Sequence, residues 1–165
     1  MNKRWIALAA VVTGLLIAFY MYRRYRVAPG IDFSKLALVN MRGEQVSLEK
    51  LKGQKSIITF AASWCGPCRE ELSGINTAKQ QKQCDAVVVV ISDEPFDKVL
   101  AFSERENYPF LFLKAEQSFG SVGINSIPTT YLLNKQFKPV KETVGYINWG
   151  DPSTAHHLNT LMDSD

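Results

Sequence analysis

Two cysteines, Cys65 and Cys68, lie three residues apart and follow the apolar run 57–62. Residues 56–60 are predicted to form a buried strand, and a helix is predicted to begin near Cys65. The sulfur of Cys65 would then lie among free backbone N–H groups at the positive end of the helix dipole. A thiolate is favoured there, and such placement lowers the pKa of a cysteine from about 8.5 toward about 3.5 to 7.5. We therefore predict that Cys65 is the attacking thiolate of a reversible dithiol–disulfide centre.

The residues around Cys65 fit this chemistry. Cys68 would lie inside the first helical turn, point the same way and be less exposed, so it is predicted to resolve the mixed disulfide that Cys65 forms with a partner. Pro67 suits the first turn because its missing N–H costs nothing there. Gly66 lets the backbone of another protein come close, and Trp64 is predicted to form part of the rim around the sulfur.

A zinc site and two buried structural cysteines are the alternatives for a Cys-x-x-Cys pair. Zinc needs about four ligands, and the chain offers only Cys84 and the adjacent His156 and His157 for the rest of such a site. Adjacent histidines diverge on a helix, and Cys84 stands alone before an apolar run, so redox use is favoured and neither a metal nor a cofactor is expected. Cys84 is predicted to be a small buried hydrophobe near a helix end, with redox regulation as the alternative, and both histidines are predicted to lie at the surface.

The N-terminal segment reads as a membrane anchor. Residues 6–22 carry no formal charge, and cations and aromatic residues stand at both ends of this stretch. As a helix it would span roughly 25 Å, which is short for a bilayer but sufficient when flanking arginines extend to the interface. We predict that residues 1–26 are an uncleaved anchor with a single transmembrane helix. The alternative is a cleaved signal peptide, but residues 22–26 hold tyrosines and arginines where a small-x-small cleavage site should stand.

The charges around the anchor nearly balance, so the positive-inside rule does not decide its orientation. A tethered disulfide enzyme makes most sense where disulfides persist, so the catalytic domain is expected on the periplasmic face of a bacterial inner membrane. The chain of 165 residues has a net charge of +3, and the excess cations flank the anchor at Arg23, Arg24, Arg26 and Lys35. Such a charge distribution describes a membrane flank, and no nucleic-acid partner is expected.

After a short linker at residues 27–32, one domain of ordinary size is predicted over residues 33–165. Strand and helix signals alternate along it. A hairpin is predicted from strands 36–39 and 45–48, with a helical turn at 48–51. Further strands are predicted at 56–60, 86–91, 110–113, 129–133 and 140–144, with helices after residues 65, 93 and 153, a helical turn at 117–122, and Ser153 as the cap of the last helix.

Two motifs in this order resemble the thioredoxin family. The first is residues 60–72, Phe-Ala-Ala-Ser-Trp-Cys-Gly-Pro-Cys-Arg-Glu-Glu-Leu, and the second is residues 127–131, Ile-Pro-Thr-Thr-Tyr. Together with the early hairpin, they make residues 33–162 similar to the membrane-anchored TlpA, ResA and CcmG (DsbE) group of thiol-disulfide oxidoreductases. The resemblance implies an α/β thioredoxin-like fold, in which a central mixed β-sheet is flanked by helices and preceded by an N-terminal β-hairpin.

The resemblance also implies roles for residues outside the cysteine pair. Pro128 matches a cis proline that lies against the cysteines, and Ile127 matches the residue whose backbone binds an extended substrate segment. Thioredoxin carries a buried aspartate at the position of Thr59, and a threonine cannot act as a base at neutral pH. Glu71 matches an acidic residue that ResA-like proteins hold near the disulfide, and it is predicted to tune or relay a proton. The alternative for Glu71 is a solvated surface glutamate.

The predicted function is reduction of disulfides in extracytoplasmic client proteins, because Gly-Pro between the cysteines resembles reducing thioredoxins. The resemblance implies a DsbD- or CcdA-like membrane electron donor and clients such as apocytochrome c in cytochrome c maturation. Two alternatives stay open. One is a thioredoxin-fold peroxidase, which needs a peroxide-attacking cysteine in a threonine-bearing setting. The other is a non-enzymatic peptide-binding or chaperone module beside Pro128, which would keep its function after a Cys65→Ser substitution.

Overall fold

The computed structural model describes residues 3–26 and 28–164, and these ranges contain four α-helices and seven strands. The helices are α1 (Lys3–Arg26), α2 (Gly66–Gln80), α3 (Phe96–Glu106) and α4 (Pro152–Leu161). The strands are β1 (Leu38–Asn40), β2 (Gln45–Val46), β3 (Ser56–Phe60), β4 (Val87–Ser92), β5 (Leu111–Ala115), β6 (Thr129–Leu133) and β7 (Pro139–Val144). Short 3₁₀ turns lie at Phe33–Lys35, Leu48–Leu51 and Phe119–Val122.

The strands form one mixed sheet in the order β2-β1-β5-β4-β3-β6-β7. β3 is parallel to β4 and antiparallel to β6, and all five of its residues are buried. β4 is in turn parallel to β5. Because both faces of the central strands are covered, their sequences read as continuous apolar runs. The predicted mixed sheet with an N-terminal hairpin is confirmed.

Successive residues of the central strands face two separate apolar cores. On one face, Ile57 packs in a cluster with residues of α2, α3 and α4. On the other, Ile58 packs with residues of β1 and of all three 3₁₀ turns. Edge-to-face ring contacts join Phe60 to Phe119 and to Tyr131 in this second core. Helices therefore cover one face of the sheet, turns cover the other, and α2 begins just beyond the carboxyl end of β3.

The bounds of β3, β6 and the turn Leu48–Leu51 agree with the prediction, as do the start of β2 and the end of β7, and the other strand ends differ by one or two residues. α3 begins at Phe96 rather than near residue 93. The reason is that Pro95 occupies the position before the helix, while the side chains of Asp93 and Glu94 bind other segments of the chain.

The predicted cap of α4, Ser153, is wrong. The helix is capped by Asp151, whose carboxylate accepts hydrogen bonds from the backbone N–H of Ser153 at 3.2 Å and of Thr154 at 3.3 Å. Pro152 occupies the first helical position, where proline is favoured, and this places the preceding aspartate at the capping position.

α1 covers residues 3–26 of the segment predicted as an anchor, and the large apolar side chains that the structure describes along it are exposed. Trp5, Leu8, Leu15, Phe19 and Tyr22 each leave more than half of their surface uncovered. Across residues 3–26 and 28–164, no helix combines the length and the apolar character that crossing a membrane requires. The transmembrane helix therefore stays a prediction.

The predicted linker packs against the domain as far as the structure describes it. Val27 lies outside the described residues. The hydroxyl of Tyr131 donates a hydrogen bond to the carbonyl of Pro29 at 2.7 Å, and Ala28 and Ile31 pack against the second core. The chain is thus held to the domain from residue 28 onward, and the predicted boundary at residue 33 stays a prediction.

Candidate active site

The structure contains a disulfide between Cys65 and Cys68 at the start of α2. Cys65 is the residue immediately before the helix, and its Sγ accepts a hydrogen bond from the backbone N–H of Cys68 at 3.2 Å. The first sulfur therefore lies at the amino end of the helix dipole, where a negative charge is stabilised once the disulfide is reduced. Cys65 is 5% exposed and Cys68 is fully buried, which is the order that an attacking and a resolving thiol need.

The residues beside the disulfide are exposed. Trp64 is 72% exposed, so its indole is available to a partner protein. A Cβ added to Gly66 would meet no atom within 4 Å, so the surface over this residue is open. Pro67 lies in the first turn of α2, as predicted. The structure does not itself assign these residues a role, and their part in client binding stays a prediction.

The peptide bond between Ile127 and Pro128 is cis, as the resemblance implies. Pro128 is buried, and its carbonyl accepts a hydrogen bond from Gly145 at 2.8 Å. Ile127 is partly buried and packs against the core that contains both cysteines. A groove of about 240 Å³ runs between Trp64 and Ile127. The two sequence motifs, about sixty residues apart, thus meet at one site, on either side of a single groove.

Glu71 is fully buried one turn after Cys68 on α2, so the solvated-surface interpretation is wrong. One carboxylate oxygen accepts a hydrogen bond from the hydroxyl of Thr130 at 2.6 Å, and the other accepts one from the backbone N–H of Ile147 at 2.8 Å. Burial raises the pKa of Glu71 from 4.5 to about 7, against the opposing effect of these hydrogen bonds. A carboxyl group that titrates near neutral pH can both accept and return a proton.

Thr59 faces the same carboxylate. Its hydroxyl donates to Oε1 of Glu71 at 3.3 Å and also contacts the hydroxyl of Thr130, which is its partner in the β3–β6 pairing. Both threonines are buried. The position that holds an aspartate in thioredoxin therefore holds a hydroxyl that contacts a buried acid from the neighbouring helix.

The sequence analysis did not identify several residues that contribute to this site. Asp93 and Glu94 follow β4, and their carboxylates bind segments on either side of the groove. A usable signal existed, because β3 and β4 are adjacent parallel strands and residues after their carboxyl ends meet at the same edge of the sheet. The contact between Ile147 and Glu71 could not be predicted from residue types, because nearly every residue offers the same backbone N–H.

The remaining cysteine and the histidines lie away from this site. Cys84 is buried, carries a free thiol and has its pKa raised by burial. It precedes β4, whereas Cys65 follows the parallel strand β3, so the two lie at opposite ends of the sheet. His156 and His157 are exposed on α4. Within the described residues, no three histidine, cysteine or acidic side chains come together as metal ligands.

Comparisons with known proteins point to one family. The Redoxin family model matches residues 27–158. The chain is 26% identical over 149 residues to the thioredoxin-like protein YneN of Bacillus subtilis, covering 82% of this chain and 86% of YneN. It is 26% identical over 160 residues to the thiol-disulfide oxidoreductase ResA of Geobacillus thermodenitrificans, covering 94% and 91%. A solved structure of a candidate thiol:disulfide interchange protein DsbE from Chlorobium tepidum matches with a TM-score of 0.62 and 24% identity, covering 81% of this chain and 95% of that one.

The family match spans most of the chain, and the structural likeness shows the thioredoxin-like fold. ResA is named for the exchange of thiols and disulfides, and the Cys65–Cys68 disulfide at the helix start is a centre for that chemistry. This chain therefore belongs to the Redoxin family and is a thiol-disulfide oxidoreductase of the TlpA, ResA and CcmG type.

Proposed function

We propose that this oxidoreductase reduces disulfide bonds in extracytoplasmic client proteins. The observation that carries the proposal is the position of Cys65, whose sulfur accepts the Cys68 N–H at the start of α2 and lies next to Trp64. A thiolate held there is a good nucleophile, and the groove between Trp64 and Ile127 offers space for the client segment.

The reaction transfers two electrons from the enzyme to the client. The Cys65 thiolate attacks one sulfur of the client disulfide, forming a mixed disulfide and releasing the other client sulfur as a thiolate. Cys68, deprotonated in turn, attacks the sulfur of Cys65. The Cys65–Cys68 disulfide forms, and the second client thiolate leaves and is protonated. The disulfide seen in the structure is the product state of this cycle.

We assign Glu71 as the group that accepts the proton of the Cys68 thiol. It is buried on the same helix, one turn further along, and its pKa of about 7 suits a group that accepts a proton at neutral pH. Its hydrogen bonds to Thr130 and Ile147 hold the carboxylate in place. The buried carboxylate thus replaces the aspartate that is missing at Thr59.

We further propose that the oxidised enzyme is recharged by a DsbD- or CcdA-like membrane donor and that apocytochrome c is among its clients. Support comes from the relatives named ResA and DsbE and from the Gly66-Pro67 dipeptide, which resembles that of reducing thioredoxins. The direction of transfer depends on the stability of the reduced thiolate, because about 30 mV corresponds to about 1.4 kcal/mol for a two-electron couple.

Membrane attachment through α1, with the domain on the periplasmic face, is part of the same proposal. The side chains of Val11, Val12, Leu15, Leu16 and Ile17 are exposed although they lie on different sides of the helix. Apolar side chains exposed on several sides of a helix are stabilised by apolar surroundings. Carbonate extraction of bacterial membranes tests the attachment, and protease treatment of spheroplasts tests the side. Release of the protein by carbonate, or its protection from protease in intact spheroplasts, would contradict this part.

Trapping of mixed disulfides tests the central proposal. In a Cys68→Ala variant, Cys65 is expected to remain covalently bound to client proteins, which appear as slower bands on non-reducing gels and vanish with dithiothreitol. The matched control is the double variant Cys65→Ser with Cys68→Ala, which keeps only Cys84. Absence of trapped proteins, or equal trapping by the double variant, would refute the mechanism. A peptide-binding module, one of the two alternatives, would keep its function after Cys65→Ser.

A further inference from the structure

The turn between β4 and α3 carries two consecutive carboxylates that bind different parts of the chain. Glu94 accepts hydrogen bonds from the backbone N–H of Ser63 at 2.6 Å and from its hydroxyl at 2.8 Å. Asp93 accepts a hydrogen bond from the backbone N–H of Phe119 at 2.8 Å. One short turn therefore holds two segments that are more than fifty residues apart in the sequence.

The backbone N–H, the hydroxyl and the carbonyl of Ser63 all form hydrogen bonds. Besides the two bonds to Glu94, its carbonyl accepts a hydrogen bond from the guanidinium of Arg105 at 3.2 Å. The Glu94 carboxylate is itself fixed by the hydroxyl of the buried Ser92 at 3.2 Å. Ser63 directly precedes Trp64, so these contacts fix the wall of the groove on which Trp64 lies, next to Cys65 in the sequence.

Phe119 anchors the opposite wall. It begins the 3₁₀ turn Phe119–Val122, its ring packs edge-to-face on Phe60 at a centroid distance of 5.5 Å, and its carbonyl accepts a hydrogen bond from Ile124 at 2.9 Å. The chain then runs through residues 125 and 126 to Ile127. Phe119, Ile124 and Ile127 line the groove on this side, and Asp93 lines it as well.

We propose that Asp93 and Glu94 are positioning residues that set the separation between the two walls of the client groove, Glu94 through Ser63 and Asp93 through Phe119. The inference rests on the proposed function. Hydrogen bonds to an ionised carboxylate are stronger than neutral ones, so each wall is held before a client arrives. A preformed groove lowers the ordering cost of binding, and client affinity should therefore depend on these two side chains.

The two residues differ in what they should affect. Asp93 contacts Phe119, which packs in the core on the other face of the sheet from the cysteines, so its loss should weaken client binding and leave the thiol chemistry almost unchanged. Glu94 holds the segment two residues before Cys65. Its loss should therefore weaken client binding and also slow the reaction with a small disulfide that does not use the groove.

Two probes with the same leaving group separate these effects. One is an extended synthetic peptide whose cysteine forms a mixed disulfide with thionitrobenzoate, and the other is the mixed disulfide of thionitrobenzoate with mercaptoethanol. The reduced full-length protein in detergent is mixed with excess probe, and the release of thionitrobenzoate is followed through a single turnover, so no reductant is needed. Asp93→Ala should raise the peptide concentration that gives half of the limiting rate about tenfold, the effect of roughly 1.4 kcal/mol, and change the limiting rate by less than about twofold. Glu94→Ala should raise the same half-saturating concentration and also lower the rate with the small probe.

Conservative variants guard against a loss of folding. Asp93→Asn keeps an oxygen that can accept the Phe119 N–H, so it should restore most of the affinity. Asp97→Ala is the matched control, because Asp97 is an exposed acid in the first turn of α3 whose side chain has no hydrogen bond or ion pair among the described residues. Amide exchange followed by NMR should show faster exchange at Phe119 in Asp93→Ala and at Ser63 in Glu94→Ala.

The outcomes distinguish this inference from the proposed function. If the wild-type protein reduces neither probe, the oxidoreductase mechanism itself fails and the inference falls with it. If the wild type reduces the peptide but Asp93→Ala behaves like Asp97→Ala, the inference is wrong and the proposed function stands. Equal wild-type efficiency with both probes would also overturn it, since the groove would then contribute nothing to binding.

Discussion

Thr59, which lies six residues before Cys65, donates a hydrogen bond from its hydroxyl to the carboxylate of Glu71 at 3.3 Å. Thr130 reaches the same oxygen from the antiparallel strand β6. Two paired strands therefore present hydroxyls to one acid on α2. A threonine side chain cannot take up a proton at neutral pH, but it can hold a carboxylate that does so. In our proposal, an acid on the helix takes the part of the aspartate that thioredoxin carries on the strand.

The stability of the oxidised protein should depend on the protonation of Glu71. Its pKa is raised from 4.5 to about 7 by burial, so the folded state binds a proton more tightly than the unfolded state. The stabilisation from this group is fully present below pH 4.5 and is lost as the pH rises to about 7. The linkage corresponds to about 3 kcal/mol in the free energy of unfolding, and Glu71→Gln should remove it.

Chemical unfolding of the oxidised wild type and of Glu71→Gln at pH 5 and pH 8 measures this difference. Glu70→Gln is the matched control, because Glu70 is the exposed neighbour and its substitution should leave the pH dependence as it is. An equal pH dependence in the wild type and in Glu71→Gln would show that the carboxyl group titrates normally.

The rate of the second exchange step, in which Cys68 attacks the mixed disulfide, should also depend on Glu71. If Glu71 accepts the proton of Cys68, it must be ionised to do so. The release of the client from a preformed mixed disulfide should therefore accelerate as the pH rises through about 7. Glu71→Gln should slow this release about 100-fold at neutral pH and remove the inflection, since general-base contributions are typically of at least this size. Rapid-quench measurement of client release from the mixed disulfide gives the rate. A Glu71→Gln rate within about twofold of the wild type at every pH would exclude the assignment.

The fold and the redox pair could be predicted because their signals are local. The apolar run that forms β3 and the Cys-Gly-Pro-Cys start of α2 lie within thirteen residues of one another, and each follows from strand burial or helix-start chemistry. The surroundings of Glu71 could not be predicted, because its partners Thr130 and Ile147 are 59 and 76 residues away. A glutamate on a charged helix face reads as exposed until the tertiary contacts that bury it are known.

Cys84 provides an internal reference for the reactivity of Cys65. The pKa of Cys84 is raised by burial, whereas reduced Cys65 lies at the start of α2. After reduction, iodoacetamide at pH 7 should alkylate Cys65 at least about tenfold faster than Cys84, because a lowered pKa gives a much larger thiolate fraction. Mass spectrometry of the alkylated peptides gives both rates in one sample. In denaturant the two thiols should react alike, and equal rates in the folded protein would remove the basis of the mechanism.

Gly74 on α2 should tolerate no larger residue, although it lies inside a helix. A Cβ at this position would stand 3.1 Å from the backbone nitrogen of Gly150 and 3.2 Å from the Cβ of Trp149, which is fully buried. Helix propensity alone favours alanine over glycine by about 1 kcal/mol, so the two effects have opposite signs. We expect the crowding to dominate, because backbone and a packed indole cannot move aside, and Gly74→Ala should lower the free energy of unfolding by about 1 to 3 kcal/mol. Gly120→Ala, where a Cβ would meet no atom within 4 Å, is the control and should change stability far less. Thermal unfolding of both variants measures the difference. A Gly74→Ala protein more stable than the wild type would show that the loop carrying Trp149 shifts to make room for the added Cβ.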